Sequence, residues 1–99
     1  MEHYFVYRLI PPRATFHLDM SEDEREIMTR HVAYWQEQTD AGKVVVFGPV
    51  VGAAGSWGLG VIRVQDEDEV GRMLDGDPAI SSGLATMEVG AMPVAGLPS

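Results

Sequence analysis

The sequence predicts an α+β fold in which an antiparallel sheet carries its helices on one face. Four segments contain the branched and aromatic residues that are typical of strands, and two segments open with acidic helix-capping sequences. Their order along the chain is β-α-β-β-α-β. This order is that of a ferredoxin-like domain with a four-stranded antiparallel sheet. The chain has 99 residues, the length of one domain, so we expect a single domain over residues 1–99.

The first strand is predicted at His3–Ile10, where aromatic and branched residues precede Pro11-Pro12. Both faces of this strand are apolar except at Arg8. Residues 11–20 are predicted to form a loop, because two prolines exclude a helix or a central strand there. A loop of this length in a small domain is often a functional lid.

Helix-capping signals mark three later segments. Ser21 with Glu24 forms a capping box, and the helix it opens is predicted to end at Gly42. A second, acidic capping box is predicted at residues 66–69. Asp77-Pro78 predicts a further helical turn, with the Asp as its cap and the Pro at its first position.

The remaining strands are predicted from apolar runs at residues 43–47, 57–64 and 85–94. The first of them is expected to end at Gly48-Pro49, and the last to lie at a sheet edge because it contains Pro93. The strands are apolar on both faces, whereas the helices cover only one. We therefore expect a homodimer in which the open face packs against a second copy.

The composition excludes several classes of function. Fifteen acidic and 7 basic residues give a net charge of −8, with no basic cluster, so we expect no binding to nucleic acid or to anionic membranes. The absence of cysteine removes thiolate nucleophiles and Cys-based zinc sites, and it fits a cytoplasmic location. No apolar stretch approaches the length of a membrane span, and no signal peptide is visible.

Several motifs together resemble the YciI-like (YCII-related) family, over a match that runs from Tyr4 to Val94. They are HVAYW at 31–35, Gly42, VVFGP at 45–49, Asp77-Pro78 and Gly83-Leu84. The resemblance implies a ferredoxin-like domain that pairs into a dimeric α+β barrel. It also implies small-molecule enzyme chemistry on a His-Asp pair, which falls on His31 and Asp77 in this sequence.

Both members of this pair have two interpretations. His31 lies on the inward face of the first helix, where it is either a core histidine bonded to a backbone carbonyl or a general base, since imidazole titrates near neutral pH. Asp77 is either only a helix cap or also the carboxylate that orients His31.

Three further residues are candidates for substrate binding. Arg8 either pairs with an acid such as Glu88 or anchors an anionic substrate. Arg13 and Phe16, in the predicted loop, are expected to contact the substrate. His17 in the same loop is expected to be solvated. The three histidines lack metal-ligand spacing, so we expect no metal, and no cofactor motif is present.

Gly58 and Gly60 fall on one face of the third strand, where either helix packing or a ligand requires exposed backbone.

The sequence predicts a cofactor-independent enzyme of lyase or isomerase type that acts on a small anionic or hydroxylated ring compound. The alternatives are a non-enzymatic metabolite-binding or regulatory dimer and a scaffold with a filled core. A filled site at His31 would favour the scaffold, a cavity in which His31 touches Asp77 would favour an enzyme, and a cavity lined only by apolar groups would favour a binding protein.

Overall fold

The computed structural model describes residues 1–99 and contains four strands and four helices. They are β1 His3–Ile10, α1 Phe16–Asp19, α2 Glu22–Asp40, β2 Val44–Gly52, β3 Gly55–Val64, α3 Asp68–Asp75, α4 Pro78–Ser81 and β4 Thr86–Met92. All neighbouring strands are antiparallel, in the order β2-β3-β1-β4. The predicted ferredoxin-like α+β fold is confirmed.

The core lies between the sheet and the helices, where β1 contributes Tyr7 and Leu9. Both side chains occupy space that glycines of β3 leave open. A Cβ atom on Gly60 would lie 2.0 Å from Cε2 of Tyr7, and one on Gly58 would lie 2.9 Å from Cβ of Leu9. These glycines therefore serve the packing of β1 against β3.

Two elements depart from the prediction. Residues 11–20 are not a continuous loop, because they contain the one-turn helix α1. Strand β2 does not end at Gly48-Pro49 but continues to Gly52. Proline has no N–H group to donate to a neighbouring strand. Pro49 is tolerated because β2 is an edge strand, and the amide groups on its outer side have no partner in the sheet.

Of the two predicted capping boxes, only the one at Ser21 is present. The Ser21 hydroxyl accepts from the Glu24 amide, and the Glu24 carboxylate accepts from the Ser21 amide. Asp66 instead accepts from the amide of Asp68 in a local turn. The side chain of Glu69 pairs with Lys43 and so does not close a box.

The sheet face away from the helices is uncovered in the single chain. Val46, on this face, is 53% exposed, and a bulge between Val44 and Val46 leaves Val45 39% exposed. The apolar side chains that the sequence places on both faces of this strand are therefore exposed on the open face of the single chain. None of the helices is long and apolar enough to cross a membrane.

Candidate active site

A buried carboxylate, that of Asp77, receives hydrogen bonds from three groups. Its Oδ1 accepts from the amide of Ala79 at 2.9 Å, as the cap of α4, and lies 2.8 Å from Nδ1 of His31. Its Oδ2 lies 2.9 Å from the same Nδ1 and accepts from the indole Nε1 of Trp35 at 2.9 Å. Asp77 has no exposed surface. These donors compensate the cost of burying its charge.

Helix α2 delivers two of the three donors. His31 and Trp35 are four residues apart, so they lie one turn apart on the same face of the helix. Trp35 is fixed by its neighbours, since its ring lies 4.6 Å from that of Tyr7 and 5.2 Å from that of Tyr34. The predicted hydrogen bond between His31 and Asp77 is therefore present, and a rigid indole buttresses it.

The hydrogen bonds of His31 define its neutral tautomer. Nδ1 faces both carboxylate oxygens, so it carries the proton and donates to them. Nε2 has no hydrogen bond to the protein, and part of its surface is exposed. His31 lines a cavity, so Nε2 is the atom whose lone pair can accept a proton from a molecule bound in that cavity.

The cavity has a volume of about 250 Å³ and lies between α2, the sheet and the segment that contains α1. A cavity of about 150 Å³ suffices for benzene, so this one has room for a ring with substituents. Its lining is Tyr7, Leu9, Pro11, Phe16, His17, Met20, Met28, His31, Val32, Phe47, Gly48, Pro49, Ser56, Trp57, Gly58, Leu59 and Ala85. Most of these residues are apolar, which leaves only a few groups able to orient a ligand.

We call residues 11–20 the strap, because they cross from the end of β1 to the start of α2 over this cavity. Phe16, one of the residues predicted to contact the substrate, is buried and lines the cavity. His17 also lines it, and its Nδ1 is buried without a hydrogen-bond partner. The expectation that His17 is solvated was wrong, because the one-turn helix α1 turns it inward.

Arg13 holds the strap and does not line the cavity. Its Nε donates to Asp19 at 2.8 Å, and its Nη1 and Nη2 donate to the Glu24 carboxylate at 2.9 and 2.8 Å. Hydrogen bonds from Arg13 are the main cause that lowers the pKa of Glu24 to about 2. The pKa of Asp19 is also lowered, first by the hydroxyl of Thr15 and then by Arg13. The guanidinium predicted to bind substrate is thus engaged within the chain.

The structure does not bring Arg8 to the cavity. It lies on the open face of the sheet, directly opposite Glu88 on β4, with Nη1 3.5 Å from the carboxylate. Its guanidinium carbon lies 4.5 Å from the ring centre of Trp57. It lines a second, shallower depression beside β4. Of its two interpretations, the pair with Glu88 matches this geometry.

Tyr7 was not predicted from the sequence as a functional residue. Its ring packs between Gly60 and Trp35 and lines the cavity. Burial, and then the charge of Asp77, raise the pKa of its hydroxyl well above the usual range. Its place on an apolar strand suggested only a core residue. The register that pairs it with a glycine is a property of the folded sheet.

No group of three or more His, Asp or Glu side chains is arranged to hold a metal ion.

Comparison with known proteins identifies the family. The family model for the YCII-related domain matches residues 4–93. The chain belongs to this family. No curated protein matches it.

Solved structures with the same fold include 5-chloro-2-hydroxyhydroquinone dehydrochlorinase from Burkholderia phenoliruptrix AC1100 in complex with 2,5-dihydroxybenzoquinone. That structure has a TM-score of 0.67 and 19% identity, over 88% of this chain and 90% of the other. A mutant of SnoaB, a cofactor-independent oxygenase from Streptomyces nogalater, has a TM-score of 0.53 and 20% identity, over 99% and 98% of the two chains. A Nitrosomonas europaea protein of unknown function has a TM-score of 0.53 and 13% identity, over 100% and 97%.

Proposed function

We propose that this protein is a cofactor-independent enzyme that moves a proton on a small hydroxylated or anionic ring compound, in a reaction of lyase or isomerase type. One observation carries the proposal. His31 offers an unbonded Nε2 to an apolar cavity while Asp77 holds its Nδ1 from the other side. A core histidine without a chemical role would have no need of both an ionised partner and an open nitrogen.

In this mechanism His31 acts as the general base. Nε2 takes a proton from a hydroxyl or a ring carbon of the compound, and the electron pair of the broken bond stays on the ring. The Asp77 carboxylate holds Nδ1–H throughout and stabilises the imidazolium that forms. An isomerase returns the proton to a different atom of the ring. A lyase expels a leaving group with the electron pair, and the proton passes to water.

The apolar lining supports the same class of substrate. It provides a flat ring with favourable burial and offers few competing polar groups. One of the similar structures is that of a dehydrochlorinase for a chlorinated hydroxyhydroquinone, and another is that of a cofactor-independent oxygenase. Both names agree with chemistry on a small molecule.

The experiment that tests the proposal is a screen of catechols, hydroquinones and hydroxyquinones, followed by proton NMR in heavy water. We expect at least one compound to be converted or to exchange a ring proton. His31→Gln should slow this reaction by about 10²- to 10⁴-fold, the usual contribution of a general base. The control is His3→Gln, since His3 pairs with Glu67 outside the cavity. Equal rates for His31→Gln and the wild type would contradict the proposal.

A second candidate is a binding protein without catalytic activity, and the mainly apolar lining of the cavity favours it. This function requires that a compound from the screen raises the thermal stability of the protein and is neither converted nor exchanged.

A further inference from the structure

We infer that the hydroxyl of Tyr7 is a catalytic hydrogen-bond donor, which holds the substrate oxygen on which negative charge develops as His31 removes a proton. This inference rests on the proposed function and extends it by naming a second group of the site. It also narrows the substrate to rings whose oxygen substituent can carry that charge, such as phenols and enols.

The first observation is that Tyr7 has an unused donor. Buried tyrosines nearly always place their hydroxyl on a partner. Tyr34 does so, because its hydroxyl donates to the backbone oxygen of Met73 at 2.6 Å. The hydroxyl of Tyr7 has no hydrogen bond to the protein, although only 1% of the residue is exposed. The small exposed area of Tyr7 includes its hydroxyl oxygen, which is therefore not fully buried.

The second observation is that Tyr7 cannot move away to find another partner. Its ring occupies the space over Gly60, where any side chain would collide with it, and it stacks on Trp35. Trp35 is in turn hydrogen-bonded to Asp77. The donor and the His31–Asp77 pair therefore belong to one rigid unit, and Tyr7 and His31 line the same cavity. A fixed donor of this kind stabilises charge without reorganisation during the reaction.

The chemistry of the hydroxyl suits this role. Its raised pKa, caused by burial and by the charge of Asp77, keeps the phenol protonated at physiological pH. A neutral phenol donates its proton into a hydrogen bond without losing it. The substrate proton moves to Nε2 of His31, the electron pair remains on the ring, and the charge reaches an oxygen that the Tyr7 hydroxyl contacts.

The test uses 4-nitrophenol as a chromophoric probe, with nitrobenzene as a ligand of similar shape that has no hydroxyl. We expect the wild type to bind 4-nitrophenol in its ionised form, seen as phenolate absorbance at a pH where the free probe is largely protonated. Tyr7→Phe should weaken phenolate binding about ten- to one-hundred-fold, as expected for a hydrogen bond to a charged group. Its affinity for nitrobenzene should stay within about threefold of the wild type, because the Phe ring preserves the packing over Gly60.

The matched control is Tyr34→Phe, which removes a tyrosine hydroxyl that is bonded outside the cavity. It should leave the binding of both probes unchanged. Equal phenolate binding by Tyr7→Phe and the wild type, with nitrobenzene binding intact, would overturn the inference. Failure of the wild type to bind or ionise 4-nitrophenol at millimolar concentration would also overturn it.

The two proposals fail in different ways. The proposed function fails if His31→Gln converts the compounds of the screen as fast as the wild type. The assignment of Tyr7 fails on the binding results with 4-nitrophenol and nitrobenzene, whatever the rate with His31→Gln.

Discussion

Asp77 performs two tasks with one carboxylate, and both oxygens are needed for them. Oδ1 caps α4 through the amide of Ala79, Oδ2 accepts from Trp35, and His31 donates between the two oxygens. An amide in place of the carboxylate has only one oxygen, so at least one buried N–H group would face another donor.

The first prediction is that Asp77→Asn is strongly destabilising. We expect a loss of about 3 kcal/mol in the free energy of unfolding, because a buried network loses its acceptor. The control is Asp66→Asn, in an exposed turn where the carboxylate accepts one local hydrogen bond, and the loss there should stay below about 1 kcal/mol. Urea denaturation of the three proteins measures both values. Similar losses for the two variants would contradict this account of Asp77.

His17 supports a prediction of the opposite sign. Its Nδ1 is buried with no partner, so the polar ring reduces stability in the unliganded protein. His17→Phe keeps a ring against the cavity and removes this cost. It should raise the free energy of unfolding by about 1 kcal/mol. A lower midpoint of denaturation for His17→Phe than for the wild type would show that Nδ1 has a stabilising role.

Individual residues of the site were predictable to different degrees. His31 and Asp77 could be predicted because a helical stripe and an Asp-Pro cap place them locally, and the family resemblance pairs them. Trp35 as the third partner could not, since its indole reaches Asp77 only when two elements 42 positions apart in sequence pack together. Tyr7 and Arg8 lie on opposite faces because neighbouring strand residues alternate, which the sequence shows. That Tyr7 lies opposite Gly60 depends on the register of β1 with β3, which the sequence does not show.

Among the elements, the strap differs most from its prediction. Prolines indicated a loop, yet residues 16–19 form a helical turn that is held by contacts from its own flanks. Arg13 reaches forward to Asp19 and Glu24. At the other side, the backbone of Ala14 lies so close to Gly55 that a Cβ atom on that glycine would be 2.7 Å from the Ala14 oxygen.

We predict that Arg13 governs the opening of the strap. Its forked guanidinium bridges two carboxylates, and neither Lys nor Met reproduces this geometry. Arg13→Lys and Arg13→Met should both increase the amide hydrogen exchange of residues 13–20. The control Arg30→Met removes an exposed pair with Glu26 within α2 and should leave the strap unchanged. Unaltered exchange in the Arg13 variants would contradict the prediction.

The same bridge has a defined pH dependence. The pKa of Glu24 is about 2 in the folded protein, below the ordinary value of about 4.3 for an unfolded chain. A lowered pKa means that the bridge stabilises the fold fully above the unfolded value, and that this contribution is lost as the pH falls from about 4 towards 2. The protection factors of the strap amides in the wild type, which correct for the slower intrinsic exchange at low pH, should therefore fall in this window, and the fall should be smaller in Arg13→Met.

At the scale of the whole molecule, the sheet has one face packed on helices and one face open. We propose that a second copy covers the open face, on which Val46 of the edge strand β2 is 53% exposed. The doubly apolar strands provided this expectation from sequence. The bulge at Val45 could not be predicted in the same way, because it depends on how β2 meets β3.

We predict that Val46→Glu converts a dimer to a monomer, because a charge would be buried in the contact between two sheets. The control Leu18→Glu changes a side chain that is 74% exposed on the strap, on the other side of the sheet, and should leave the dimer intact. Sedimentation velocity at micromolar concentration distinguishes the two species. A wild-type protein that sediments as a monomer would contradict the proposed assembly.

The double role of Asp77 links the site to a segment that no ligand needs to touch. Helix α4 has only four residues, too few to be stable by itself, and its cap is the carboxylate that orients His31. Each movement of α4 away from its docked position therefore displaces the carboxylate to which the imidazole of His31 donates. By thermodynamic reciprocity, a ligand that prefers the oriented imidazole must hold α4 in place, even though α4 does not line the cavity. Ligand binding in the cavity and the docking of α4 are therefore thermodynamically coupled, and each favours the other.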